Sequence, residues 1–452
     1  YELTVKVHKK TDSFLILGNY WVGKMLPFDT AYYNAKKKNW VFKGDEKAPE
    51  GMYFLFFRDN SIMDLVMGAD QKFSIETDSV QGYIANLQIE GDEENIRYAE
   101  YKKGTVKFNL AMNALNAKIK ANPNNAKLKE ERKSSYTERM DFMNNYITKY
   151  KEDVFSKYML ATKPIDVPML KKDNGVIDSF ARYKYYRDHF WDNFSFQEEC
   201  MVRTPDEWLP GKITNYMTNL VLQDPDTIIK YADELLRKSE GNKEVDKYFI
   251  FKITQIYDTM QLMCMDRVFV HMVDKYYSTP RAYWVDSGTR ARMVEAAQKK
   301  RYTMCGAKAL NLNYYDLDEK PQMLYKNKGE KYTIVVFYDP TCGHCKTELP
   351  IVHELYSRNK DSGIAVYAIA AMNKKKEWKK YIGEDHPDWK DWVNVCDVVP
   401  YQEWVDNRAS YNITANPTIL ILNKNMEIIA KKIPAKNIEG FIKEYERVFG
   451  AQ

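Results

Sequence analysis

Cys342 and Cys345 enclose Gly343 and His344, and of the six cysteines they are the only two close in sequence. Such a pair supports thiol–disulfide exchange: one thiolate attacks a disulfide and the second cysteine resolves the mixed disulfide. The pair follows the apolar run Tyr332–Phe337 and opens an amphipathic stretch over about 342–358. That order predicts a strand, a turn and then a helix whose first residues carry the chemistry. Unpaired N–H groups and the dipole at a helix start favour an anion, so the Cys342 thiol pKa should fall. Cys345 then lies one turn further in. Gly343 leaves room for a substrate backbone. A charged His344 stabilises the neighbouring thiolate and the reduced form, which makes the pair a stronger oxidant.

Other uses of the pair fit less well. Zinc wants four ligands, and the chain offers neither a second Cys-X-X-Cys nor a suitably spaced Cys/His pair. Neither a metal nor another cofactor is therefore expected. A peroxiredoxin needs a proline seven residues, and a threonine or serine three residues, before its cysteine. Those positions hold Val335 and Asp339. Cys200, Cys264, Cys305 and Cys396 each have an apolar neighbour and read as buried inert thiols; an accessory redox role stays open for Cys305 and Cys396. His189 and His271 sit in aromatic or apolar sequence and read as structural. His353 reads as a surface residue, and the aromatic run Tyr183–Phe196 as packing.

The elements that must position the pair come from periodicity. From about Arg301 onward, short apolar runs at Tyr332–Phe337, Gly363–Ile369, Thr418–Leu422 and Ile428–Ala430 alternate with helix candidates at 342–358, 374–382, 401–410 and 437–449. This is the signature of an α/β domain with crossover connections. Residues 1 to about 90 read instead as short strands: Leu3–Val7, Phe14–Leu17, Trp40–Phe42, Met52–Phe57, Asp64–Met67 and Phe73–Thr77. Turn clusters separate them, which predicts a small sandwich or barrel. Between about Glu93 and Lys300 glycine is sparse and helical spacing dominates, in segments Ser135–Tyr158, Asp226–Ser239 and Glu244–Tyr276. Asp224 or Asp226 would cap the second of these, Gly241 lies just past its end, and Asn122–Asn125 makes a turn between helices. The expected architecture is multidomain, with an all-β sandwich over 1–92, an all-α domain over 93–300 and an α/β domain over 301–452.

Composition narrows the class. The 452 residues carry 68 Lys and Arg against 63 Asp and Glu, a net charge of only +5. That is too weak and too dispersed to point to nucleic acid or an anionic membrane surface. Mean hydropathy is −0.59, and no apolar run approaches the length of a membrane-spanning helix. The chain begins at Tyr1 and passes directly into a strand-like segment, as expected of a form whose targeting segment has been removed.

The sequence around the pair, Val336 to Pro350, resembles the active-site region of thioredoxin-like proteins. Pro350 matches the proline that kinks the active-site helix in that fold, and Ala415-Asn416-Pro417-Thr418 resembles the cis-proline loop. The resemblance implies a thioredoxin fold for 301–452. It also implies that Pro417 is cis beside the cysteines, with its loop, Asn416 included, bonding a substrate backbone. Within the fold the chain is similar to the TlpA/ResA-like branch of envelope oxidoreductases, which implies that Glu348 accepts the proton of the resolving Cys345. An insertion at about Asn373–Asp397 also fits that branch. There are departures: Val336 stands where thioredoxin has a buried acid, and Gly343-His344 is the pair seen in protein disulfide isomerases. Leu17-Gly18-Asn19-Tyr20 and Glu50-Gly51-Met52-Tyr53 resemble the β domain, and Asp188–Asn193 and Met265–His271 the helical domain, that accompany thioredoxin domains in Bacteroidetes envelope proteins. This resemblance implies export, as a periplasmic or a lipid-anchored envelope protein, with any lipid-bearing Cys in a preceding segment.

The resulting expectation is an oxidoreductase acting on protein disulfides, as reductase or isomerase, with an electron-donor thiol protein as second partner. The alternative is a binding or scaffold protein whose first 300 residues recognise a client or glycan, with the redox domain secondary.

Overall fold

In a computed structural model, residues 1–79, 82–260, 262–370, 375–396, 411, 413 and 415–450 are described. The chain divides into two compact units, residues 1–223 with 230–252, and residues 224–229 with 253–452.

The first unit opens with two four-stranded sheets. Strands β1 (Glu2–Val7), β4 (Trp40–Lys43), β7 (Lys72–Thr77) and β8 (Gln88–Glu90) form one sheet in the order β4-β1-β7-β8. Strands β2 (Phe14–Trp21), β3 (Lys24–Tyr32), β5 (Gly51–Phe56) and β6 (Ile62–Met67) form the other in the order β3-β2-β5-β6. Alternation sends Leu3, Val5, Val7, Trp40 and Phe42 inward from the first sheet to meet Leu15, Leu17, Tyr53 and Leu55 from the second, in one buried core. The expected sandwich is present. Its six predicted strands all form, and β3 and β8 are additional. Strand β3 escaped the pattern because it is an edge strand, mostly exposed along its length and interrupted by Pro27.

Helix α1 (Glu93–Ala121) locks onto this sandwich. Asp92 caps it by accepting from the N–H groups of Glu94 and Asn95. The Asn95 side chain reaches β6, accepting from Val66 N–H at 2.8 Å and donating to Val66 C=O at 2.6 Å. Helices α2 (Ala126–Lys149), α3 (Val154–Thr162), α4 (Ser179–Asp188) and α5 (Trp208–Asn215) follow. The turn expected at Asn122–Asn125 separates α1 from α2, with Asn125 capping α2. The predicted helix Ser135–Tyr158 is in fact the end of α2 and the start of α3. Asp153, which caps the break, receives both guanidinium arms of Arg97 at 2.8 Å. The aromatic run packs as expected: Trp191, Phe194 and Phe196 meet Phe249 at ring separations of 5.3–5.7 Å.

Helix α6 (Pro225–Ser239) is capped by Asp224, whose carboxylate accepts from the N–H and hydroxyl of Thr227. The predicted helix Glu244–Tyr276 is broken: α7 (Lys243–Thr259) stops, the chain turns, and α8 (Asp266–Met272) restarts. Cys264 in that turn takes a left-handed backbone, φ +71°, which helical periodicity in the sequence does not reveal.

The second unit contains α8, α9 (Ser287–Arg301) and a seven-stranded sheet. Its strands are β9 (Asn313–Tyr315), β10 (Pro321–Met323), β11 (Tyr332–Tyr338), β12 (Ile364–Ala370), β13 (Val393–Cys396), β14 (Thr418–Asn423) and β15 (Ile428–Lys431), in the order β10-β9-β13-β12-β11-β14-β15. Strand β11 pairs parallel with β12 and antiparallel with β14. It is buried on both faces, which is why it reads as an unbroken apolar run. Ile334, Val336 and Tyr338 face one core and Val335 and Phe337 the other. Helix α10 (Gly343–Asn359) packs on the first face and continues through Pro350. Helix α11 (Lys375–Lys380), two short helical turns (Tyr381–Asp385 and Pro387–Asp391) and β13 occupy the described part of the expected insertion. The C-terminal helix, Ile438–Phe449, matches its expectation closely. The helix expected at 401–410 lies outside the described residues.

Candidate active site

Strand β11 delivers the chain to Asp339, and a short turn brings it to α10. Asp339 shapes that turn: its carboxylate accepts from the N–H and the hydroxyl of Thr341, each at 2.7 Å. The Asp339 carbonyl accepts from Cys342 N–H at 3.1 Å, and the Cys342 carbonyl from Lys346 N–H at 3.2 Å. Cys342 is thereby the N-cap residue of α10, with extended backbone angles. Its thiol faces the loop before β14 and donates to the Asn416 carbonyl at 3.7 Å. The Asn416–Pro417 bond is cis. The structure thus brings the cysteine pair and the Asn416-Pro417 loop together as expected.

The two thiols have opposite surroundings. Cys342 is partly exposed, and its pKa is lowered chiefly by the Cys345 backbone N–H, with further help from the Cys345 thiol and His344 N–H. Desolvation and, more weakly, the Asp339 charge oppose this. Cys345 is fully buried in the core beneath α10, and burial pushes its thiol up to about 12, even though Asp339 N–H donates to its sulfur at 3.4 Å. The difference follows from helix geometry. The first residue has the orphan N–H groups in front of it, whereas one turn later the same face points into apolar side chains.

Gly343 and His344 are exposed between them. A side chain built at Gly343 would meet nothing within 4 Å, so the approach over the motif is open. Glu348 is half-buried, and its Oε2 accepts from Ala435 N–H at 2.6 Å. The carboxylate therefore ties α10 to the segment after β15. His353 is not the surface residue expected: its side chain is only 18% exposed and packs on Trp389 and Trp392. His189 lies beside Asp192 at 2.6 Å.

The remaining cysteines divide. Cys200 and Cys396 are buried and form no disulfide, in line with the expectation. Cys264 and Cys305 are not inert thiols; they are joined in a disulfide across 41 residues of sequence. Long separations carry no pairing signal, so the sequence offered no means of finding it. Asp339 was also overlooked, although an Asp two residues before a Thr at a strand-to-helix turn is a readable signal.

Residues 329–428 match a family model described as thioredoxin-like. The C-terminal domain is thioredoxin-like. A second model, a domain of unknown function (DUF5106), matches residues 125–300. Among solved structures, a domain of a possible thiol-disulfide isomerase from Cytophaga hutchinsonii is 34% identical. That match covers 33% of this chain and 97% of the other, with a TM-score of 0.30. A thioredoxin-like protein from Bacteroides caccae is 19% identical over 63% of this chain and 99% of its own, with a TM-score of 0.47. The thioredoxin domain of a thiol-disulfide oxidoreductase from Bacteroides vulgatus is 26% identical over 31% and 96%, with a TM-score of 0.28. No curated protein matches the chain. No helix among the described residues is long and apolar enough to cross a membrane.

Proposed function

We propose that the protein is a thiol–disulfide oxidoreductase acting on protein disulfides through Cys342 and Cys345. The observation that carries this is the asymmetry of the two thiols: one lowered and open at the helix start, the other raised and buried one turn behind it. Cys342 attacks as the thiolate and forms a mixed disulfide, releasing one client sulfur, which takes up a proton. Cys345 then loses its proton and attacks the Cys342 sulfur, expelling the second client sulfur. The client gains two electrons and the protein is left with a Cys342–Cys345 bond, which an electron-donor thiol protein reduces.

The other residues take supporting roles in this reading. Gly343, Asn416 and Pro417 bind the client backbone, and His344 sets the potential. Glu348 is the proton acceptor for Cys345, using the carboxylate that also holds Ala435. The periplasm or cell envelope is the proposed site of action. Residues 1–92 and 93–300 are proposed as separate domains that present clients to the redox domain at 301–452.

Equilibration with glutathione buffers, followed by trapping of free thiols, tests the reading and sets its direction. A potential near that of thioredoxin, about −270 mV, makes the protein a reductase; one near that of protein disulfide isomerase, about −180 mV, makes it an isomerase or oxidant. Failure of Cys342 and Cys345 to exchange with glutathione at all would overturn it.

A further inference from the structure

Beside the segment that follows β15 lies a groove of about 560 Å³. Leu262 and Met263 form one wall; Ile433, Pro434 and Phe441 form the other. Neither wall belongs to residues 329–428, the segment that matches the thioredoxin-like model. Leu262 leaves 51% of its surface exposed at the rim of the groove, while Met263 and Phe441 pack partly buried against the core beneath it.

The charges around the groove have one sign. Lys431, Lys432 and Lys436 line it, and among the described residues no carboxylate does. Lys431 is already paired with Asp266. Lys432 and Lys436 have no acidic partner among the described residues. The groove also adjoins the chemistry: Ala435, next to Pro434, donates its N–H to Glu348. Glu348 lies six residues past Cys342 on the same helix, an axial distance of about 9 Å. The Leu262–Met263 wall is fixed from behind, because the next residue, Cys264, is covalently joined to Cys305.

We propose that this groove is the docking surface for an extended client polypeptide whose target cysteine is flanked by apolar and acidic side chains. The proposal rests on the oxidoreductase reading above and supplies its substrate class. Apolar contact provides the attachment, and Lys432 and Lys436 provide the selection by charge. The disulfide keeps the wall in place for both.

The test uses the full chain with dithiothreitol as electron source. Three disulfide substrates are compared: a peptide with Leu and Glu flanking its cysteines, the same peptide with Lys in place of Glu, and bis(2-hydroxyethyl) disulfide. The third substrate is neutral and too small to need the groove. The expected result is a lower KM for the acidic peptide than for the basic one. In Lys432→Glu/Lys436→Glu that preference is lost through a rise of about 10-fold in KM for the acidic peptide, equivalent to 1.4 kcal/mol. Turnover of bis(2-hydroxyethyl) disulfide stays unchanged. Leu262→Ser, at an exposed position where folding is not at stake, raises KM for both peptides and leaves the small disulfide unaffected. Equal KM values for the two peptides in the unsubstituted protein overturn the groove proposal. So does a concentration-dependent dimer in analytical ultracentrifugation that Lys432→Glu/Lys436→Glu dissociates, since a second copy would then be the occupant. Absence of turnover with all three substrates overturns the oxidoreductase reading instead.

Discussion

The second unit holds two pairs of cysteines that differ in almost every respect. Cys342 and Cys345 straddle the start of a long helix, carry thiols, and differ sharply in burial. Cys264 and Cys305 come from segments 41 residues apart, sit in turns, and are already bonded to each other. The comparison separates what makes a cysteine reactive from what makes it a tie. Reactivity needs unpaired N–H groups aimed at a sulfur that solvent can reach, with its partner within one helical turn. A tie needs only two segments that pass close to each other, and it stabilises chiefly by restricting the unfolded chain.

The sharpest way to break this comparison is to exchange the roles by mutation. Cys342→Ser should lower turnover of a disulfide substrate by at least about 1000-fold, since the other thiol at the helix start, Cys345, is buried and held protonated. Cys345→Ser should instead accumulate mixed disulfides, visible on non-reducing gels. Substantial activity in the Cys342 variant would overturn Cys342 as the attacking thiol.

Removing the tie should act on stability and spare the chemistry. Cys264→Ser/Cys305→Ser is expected to cost about 2–4 kcal/mol in denaturant unfolding, from the loop that the bond closes. Turnover of bis(2-hydroxyethyl) disulfide should remain within about twofold of the starting value, because the Cys342 surroundings do not include this bond. A collapse of that turnover would join the two pairs into one functional system.

Titration sharpens the contrast within the first pair. Cys342, lowered by the N–H groups at the helix start, is in its reactive thiolate form above a pH lower than the ordinary cysteine value and loses it as pH falls through that point. Cys345, raised by burial to about 12, stays a thiol across the neutral range. Iodoacetamide labelling followed by mass spectrometry should therefore modify Cys342 first at every neutral pH; equal rates would contradict the asymmetry. The smallest expected effect is that of Asp339→Asn. It keeps an oxygen for Thr341 but removes the charge that opposes the Cys342 thiolate. The midpoint of Cys342 labelling should move down by less than about one pH unit, because the charge is partly exposed and screened.

Sequence and structure agree best where a pattern is enforced by burial on both faces or by a helix stop. Strands β11, β12 and β14 lie within a residue or two of their apolar runs, because such runs have little or no polar face to blur them. The cysteine pair and the Asn416-Pro417 loop were legible because their chemistry dictates residue types. Agreement fails where tertiary contacts decide. Residues 244–276 keep a helical rhythm, yet the chain turns at Cys264 because a partner from position 305 is waiting there. Residues 135–158 keep the same rhythm, yet break at Asp153, where Arg97 from another helix binds. His353 shows no motif at all; its neighbours Trp389 and Trp392 come from beyond β12.

The Asn95 side chain, described above as a link between α1 and β6, also closes a vulnerability. Strand β6 is the last of its sheet, and an outer strand offers a ladder of donors and acceptors on which a stray polypeptide could polymerise. At Val66 both rungs are already taken by one amide group imitating a neighbouring backbone. The helix thus acts as a terminator for the sheet, guarding the sandwich against strand-by-strand aggregation.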